Sequence, residues 1–153
     1  MARARNIDEI DVVYSKVMPS VFLERFGDRA KRKLGDAYGL TQYGVNHVTL
    51  GPGGQSSLRH WHTLEDELIY VLGGEVVLVT NDGEQVLHAG DVVGFRAGDE
   101  DAHHMINRSS EPATYLEVGT RIEPDTAVYP DDDAKWEKRD GKWAVVHKDG
   151  TPY

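Results

Sequence analysis

From residue 40 onward, apolar residues fall in short alternating runs, each stopped by a turn signal. Residues 43–50 are rich in β-branched and aromatic side chains and end at the breaker 51–54, Gly-Pro-Gly-Gly. Residues 66–72 form a second run, closed by Gly73 and Gly74. Residues 75–80 and 84–88 flank Asn81, Asp82 and Gly83, which tolerate positive φ, and so predict a β-hairpin. Further strands are expected at 92–95, 103–107 and 114–120. Six or more short strands at this spacing predict an all-β sandwich or barrel.

The two ends read differently. In a leading arm, residues 1–39, strands are expected at 12–14 and 21–23 with Pro19 between them. Residues 28–33, confined by Gly27 and Gly35, read as a short helix. After Thr120 the chain turns toward Asp, Lys and Pro. Within this extension, residues 121–153, a last hairpin is expected from 134–139, Asp140-Gly141 and 142–147. Trp136 and Trp143 would anchor it on the barrel or a neighbouring subunit. The whole chain, 1–153, reads as a single domain.

Composition narrows the classes. A chain of 153 residues, 39% hydrophobic and 28% charged, is long enough for a core without disulfides. With 17 Lys+Arg against 26 Asp+Glu the net charge is −9, which disfavours sequence-independent nucleic-acid binding. The one basic cluster, Arg29, Lys31, Arg32 and Lys33, reads as a solvated surface turn, with an anion-binding rim as the alternative. No cysteine is present, so thiolate ligands, iron–sulfur clusters and Cys nucleophiles are excluded; the composition fits a cytoplasmic protein. No signal peptide is visible, and no stretch approaches the roughly 18 apolar residues of a membrane span.

Seven histidines remain to be placed. His60 and His62 are two apart, so on a strand both face one side. Glu67 opens the next run, and His103 and His104 follow the hairpin. Three imidazoles and a carboxylate suit a divalent Zn, Fe, Mn, Ni or Co ion. Alternation lets only one of His103 and His104 face such an ion. His47, His88 and His147 lie in separate runs and read as ordinary histidines.

The spacing carries more. Gly54, five residues, His60, one, His62, four, Glu67, six, Gly74 matches the first motif of the cupin superfamily in full. Gly90, five residues, Arg96-Ala97-Gly98, then His103, three residues, Asn107 resembles the second. Two departures stand out: Arg96 occupies the usual proline position, and four residues rather than two separate Gly98 from His103. Residues 54–107 thus resemble a small single-domain bacterial cupin.

That resemblance implies a double-stranded β-helix (jelly-roll) barrel. It implies one divalent metal ion on His60, His62, Glu67 and His103, with His104 the open alternative for the fourth ligand. The resemblance does not choose a reaction; the complete ligand set favours an enzyme acting on a small polar metabolite, a sugar or carboxylic acid, as isomerase, lyase or hydrolase. An Fe-dependent dioxygenase and a non-catalytic binding or sensor module are the alternatives. No catalytic residue beyond the ligands is assigned. Expected partners are a small-molecule ligand and a second copy of the chain, since Val12, Val13, Val21 and Phe22 have no place in a minimal barrel; neither nucleic acid nor membrane is expected. The acidic loop 98–102 is expected at the barrel mouth, where its charge would disfavour anions and suit a neutral sugar or polyol.

Overall fold

The computed structural model describes residues 3–14, 18–139 and 142–153, with the side chains of 137–139, 142 and 143 outside that description. The expected turn Asp140-Gly141 and the Trp143 anchor therefore lie outside the described residues.

The elements in chain order are β1 (Val12–Val13), α1 (Ser20–Phe26), β2 (Arg29–Lys33), β3 (Tyr43–Leu50), β4 (Trp61–His62), β5 (Glu67–Gly73) and β6 (Glu75–Thr80). They continue with β7 (Gly83–His88), β8 (Val92–Phe95), β9 (His104–Ile106), β10 (Ala113–Thr120), β11 (Ala127–Val128), β12 (Lys135–Arg139) and β13 (Lys142–Val146). One layer is a six-stranded sheet in the order β1-β2-β3-β10-β5-β8. The facing layer is a three-stranded sheet, β7-β6-β9, which single bridges Gln55–Ile106 and His60–His103 tie to the segment leading into β4. From β4 the order runs on through β11 and β12 to β13. This is the jelly-roll arrangement expected, with the layers not fully closed into a barrel.

Alternation decides what each strand contributes. On β5, Ile69 and Val71 are buried while Leu68, Tyr70 and Leu72 are exposed. Ile69 and Val71 meet Val48 and Leu50 of β3, Val76 and Leu78 of β6, Met105 of β9 and Tyr115 of β10 in the main core. Asn107 is fully buried just beyond β9, and its amide donates to the carbonyls of Leu50 and Glu111, which closes this end of the barrel. Gly54 is needed for closeness: a Cβ there would lie 2.5 Å from the Asp28 carbonyl oxygen. Gly74 is needed for conformation, with φ at +73° between β5 and β6.

Two expectations for the leading arm are corrected. Residues 21–23 belong to a helix, not a strand. Pro19 precedes the first turn, Phe22 and Phe26 recur at i,i+4 on the buried face, and Gly27 ends the helix at φ +56°. Residues 28–33 contain a strand, not a helix. β2 pairs residue by residue with β3, Arg29 opposite Leu50 through Lys33 opposite Asn46, and sheet pairing overrides the helical preference of Lys and Arg.

The arm and the C-terminal extension meet. Phe22 and Phe26 of α1 pack with Leu58, Ala127, Tyr129, Ala134 and Val145 in a second core, against which Met18, Leu23 and Trp136 also lie. The Trp136 indole donates to the Tyr129 hydroxyl. β11 pairs with β4, Ala127 opposite His62, so the extension braces the strand that carries the expected ligand His62 and directly follows His60.

Candidate metal centre

His60, His62, Glu67 and His103 come together at one end of the barrel. One possible ligand atom from each of His60, His62 and Glu67 lies within 4.8 Å of the other two. His103 Nε2 is 3.1 Å from Glu67 Oε2, and His62 Nε2 is 4.0 Å from the same oxygen. The His60 ring lies 5.0 Å from that of His62 and 5.1 Å from that of His103, centroid to centroid. Two ligands bound to one ion at about 2.1 Å stand roughly 3–3.5 Å apart, so the 3.1 Å contact of His103 with Glu67 is of the size a shared ion produces, while His62 stands somewhat further from that oxygen.

Each imidazole is held from behind. His60 Nδ1 is 2.9 Å from the Leu58 carbonyl, His62 Nδ1 is 2.7 Å from Asp125 Oδ2, and His103 Nδ1 is 3.4 Å from the Asp101 carbonyl. An oxygen at Nδ1 can hold the ring proton, which frees Nε2 to turn its lone pair toward a bound ion. The donor set therefore fits a divalent ion: three imidazole nitrogens and one carboxylate oxygen, each imidazole with an oxygen at its far nitrogen.

Electrostatics favour the ligand-competent protonation states. Burial pushes the His60 imidazole down to about 4, so it is neutral at pH 7. Burial opposes ionisation of Glu67, but the hydrogen bond with His103, helped by the neighbouring histidines, outweighs it and holds the carboxyl below its usual range. Asp125 is likewise lowered: burial works against its charge, and hydrogen bonds with His62, Leu64 N–H and Thr63 overcome it.

The neighbouring histidines separate by strand parity. His103 is 4% exposed, and its ring stacks on Phe95 at 3.4 Å and 5°. His104 turns to the other side, with Nδ1 3.2 Å from the Ser57 carbonyl and Arg25, Arg59 and Asp131 as its charged surroundings.

The four residues line a cavity of about 340 Å³ whose other wall is the inner face of the six-stranded sheet. In that wall Gly44, Gly119 and Glu67 stand side by side, and the Arg121 guanidinium lies over Gly44, 3.4 Å from where a Cβ there would be. The next inward row holds Asn46 and Glu117. Glu117 Oε1 accepts from Lys31 Nζ at 2.7 Å and from Asn46 Nδ2 at 2.8 Å.

Several of these residues escaped sequence reasoning. Asp125 lies 63 residues from His62 and belongs to no motif. Glu117 follows the inward parity of β10 with Tyr115 and Gly119, a signal readable only once the buried face of that strand is known. Lys31 and Arg29 were expected in a solvated surface turn and instead line the cavity, because alternation on β2 turns them inward. The acidic loop does sit beside the centre, with Gly98 N–H on the His62 carbonyl and the Asp101 carbonyl behind His103, but it does not enter the cavity. Asp101 accepts from Asn81 N–H and the Glu100 carbonyl accepts from the Asn81 amide, so the loop is tied to the β6–β7 turn. None of residues 98–102 lines the cavity. Glu65 does line it, and its carboxylate accepts from Ile122 N–H while burial pushes its pKa up.

Comparison with known proteins fits this geometry. A family model described as a cupin domain matches residues 46–119. The crystal structure of a sugar phosphate isomerase from a cupin superfamily, from Silicibacter pomeroyi DSS-3, is 40% identical, covers 99% of this chain and 96% of that one, and superposes with a TM-score of 0.92. A protein from Acidithiobacillus ferrooxidans described as a candidate sugar phosphate isomerase is 32% identical over 78% of this chain and 76% of that one, with a TM-score of 0.71. A Thermotoga maritima protein described as a predicted oxalate decarboxylase, 24% identical over 78% of this chain and 100% of that one with a TM-score of 0.63, shares the fold. A search of curated proteins finds no match. No helix among the described residues is long and apolar enough to cross a membrane.

Proposed function

From the premise that this chain belongs to the cupin superfamily, we propose that it is a metal-dependent isomerase acting on a phosphorylated sugar. The observation that carries the reading is the convergence of His60, His62, Glu67 and His103 on a cavity that also holds Glu117. The likeness to two proteins described as sugar phosphate isomerases supports the substrate class.

In this reading His60, His62, Glu67 and His103 hold one divalent ion, which when bound supplies a Lewis acid for a carbonyl or hydroxyl oxygen. Glu117 is the base. It takes a proton from the hydroxyl-bearing carbon next to the carbonyl and returns it to the former carbonyl carbon, while the proton of that hydroxyl passes to the former carbonyl oxygen, so the reaction consumes no co-reactant. Lys31 and Asn46 position the carboxylate through the oxygen they share. Asp125 fixes the His62 imidazole. Gly119, paired with Glu67, keeps side-chain bulk away from that carboxylate.

The chain works as one domain in this reading, its extension bracing β4, and it pairs with a second copy. Supporting that pairing, Val12, Leu68, Tyr70, Leu72 and Val92 are exposed on the strands of the six-stranded sheet. Light scattering at low micromolar concentration should return twice the chain mass.

The activity test is isomerisation in D₂O. Metal-loaded protein is given a panel of aldose and ketose phosphates and followed by NMR. Interconversion with solvent deuterium entering the reacting carbon is expected, and Glu117→Gln should slow it by about 100-fold or more at unchanged metal content. Oxygen consumption by an iron-loaded form would favour the dioxygenase instead. Ligand binding without turnover, whichever metal is loaded, would favour a binding module.

A further inference from the structure

The basic run on β2 is split by strand alternation. Arg32 turns outward and donates to the Ile7 and Ile10 carbonyls of the leading arm. Lys33 is exposed and pairs with Asp36 at 3.7 Å. Arg29 and Lys31 turn inward, into the cavity that holds the metal cluster. An acidic chain of net charge −9 has thus placed Arg29 and Lys31, besides the Asp36-paired Arg121, on the wall of the cavity that holds the His60, His62, Glu67 and His103 cluster.

The two inward cations are not equivalent. Lys31 is matched by the Glu117 carboxylate at 2.7 Å. Arg29 has no carboxylate partner among the described residues. Its Nη1 donates to the Ser56 carbonyl at 2.5 Å, and its guanidinium lies 5.6 Å from the Phe26 ring centroid. A guanidinium carries five N–H donors, and one neutral acceptor with an aromatic face leaves its charge unmatched. Both contacts fix its position: Ser56 lies on the segment leading to His60, and Phe26 is the last residue of α1. A held, unneutralised guanidinium in a half-enclosed cavity is the kind of group that recognises phosphate through charge-assisted, bidentate hydrogen bonds.

We propose that Arg29, with Lys31 beside it, is the anion-binding end of the cavity, and that it takes the phosphate monoester of a sugar whose carbonyl end meets the His60, His62, Glu67 and His103 cluster. This rests on the isomerase reading for the identity of the substrate, and on the cavity alone for the binding of phosphate. It reverses the expectation that the site disfavours anions, since the acidic loop on which that expectation stood faces the β6–β7 turn.

The experiment uses metal-loaded full-length protein with two readouts. Calorimetry with inorganic phosphate as the probe measures the anion site directly; steady-state kinetics compares a sugar phosphate with the same sugar lacking phosphate. Arg29→Gln should weaken phosphate binding by about 10–100-fold and raise KM for the sugar phosphate by a similar factor, with kcat and the unphosphorylated sugar little changed. Arg29→Lys keeps a cation over Phe26 and should fall between; it replaces the Gln variant if that variant loses metal or fails to fold. Phosphate binding that neither variant changes would put the anion on the metal and overturn the proposal, as would wild-type protein that binds no phosphate. Phosphate binding that depends on Arg29 in a protein that isomerises nothing would uphold the anion site and remove the isomerase reading. Isomerisation with KM indifferent to Arg29 would do the reverse.

Discussion

The inner face of the six-stranded sheet has two ends built on the same strands. Toward one end β3 carries Gly44 and Asn46, β5 carries Glu67, and β10 carries Gly119 and Glu117. Two to four residues further along the same strands, at the same parity, stand Val48 and Leu50, Ile69 and Val71, and Tyr115 and Ala113, all at 1% exposure or less. Backbone geometry is continuous across the change; only side-chain chemistry differs. One end is packed shut, and the other keeps glycines and hydrogen-bonded polar groups around an open space. Stability and chemistry thus occupy separate segments of each strand, so substitutions at the two ends should fail in different ways.

The largest effect is expected at the polar end. His60→Ala combined with His62→Ala should abolish stoichiometric metal, read by elemental analysis, while far-UV circular dichroism stays that of the wild type. Loss of fold together with metal would break the separation. At the packed end, Leu50→Ala should cost about 2–5 kcal/mol in denaturant unfolding, because a fully buried side chain leaves a cavity. Metal stoichiometry in the folded fraction should not change.

Asp125→Asn tests the support behind the centre. Removing the charge at His62 Nδ1 should weaken metal affinity by about 10–100-fold, measured by competition with a chelator, with the fold retained. Unchanged affinity would show that the contact is incidental.

pH separates the two ends without mutation. The folded protein holds the His60 pKa near 4 against an ordinary 6.5, so below pH 6.5 the unfolded chain binds the proton that the folded one refuses. Stability of the metal-free protein should therefore decline as pH falls from about 6.5 to 4, and replacing His60 with Ala should remove that part of the slope. An identical slope in the variant would contradict the assignment.

The smallest effect is expected from the acidic loop. Glu100→Gln with Asp101→Asn should leave turnover unchanged and alter stability by no more than about 1 kcal/mol, through the Asp101 bond to Asn81 N–H. A selective loss of activity would return the loop to the site.

Much of this was legible in the chain because it is written at fixed spacing. Gly54, His60, His62, Glu67 and Gly74 gave the fold family, and the alternating runs gave β3, β5, β8 and the β6–β7 hairpin within a residue or two. The leading arm was misread where local preference and tertiary demand conflict. Residues 21–23 look β-prone, yet Phe22 and Phe26 needed one buried helical face. Residues 29–33 look helical, yet β3 needed a neighbour. Arg29, Lys31, Glu117 and Asp125 could not be assigned for a related reason: each owes its role to which way a strand or loop turns relative to residues far away in sequence.

Anomalous diffraction from crystals loaded with one divalent metal tests the central claim most directly. The account predicts one ion per chain, bound by Nε2 of His60, His62 and His103 and a carboxylate oxygen of Glu67, with nitrogen distances of about 2.0–2.2 Å if the ion is zinc. An ion held instead by His62, Glu65 and Asp125, the other cluster of ligand-type atoms among the described residues, or one bound by His104 in place of His103, would contradict it.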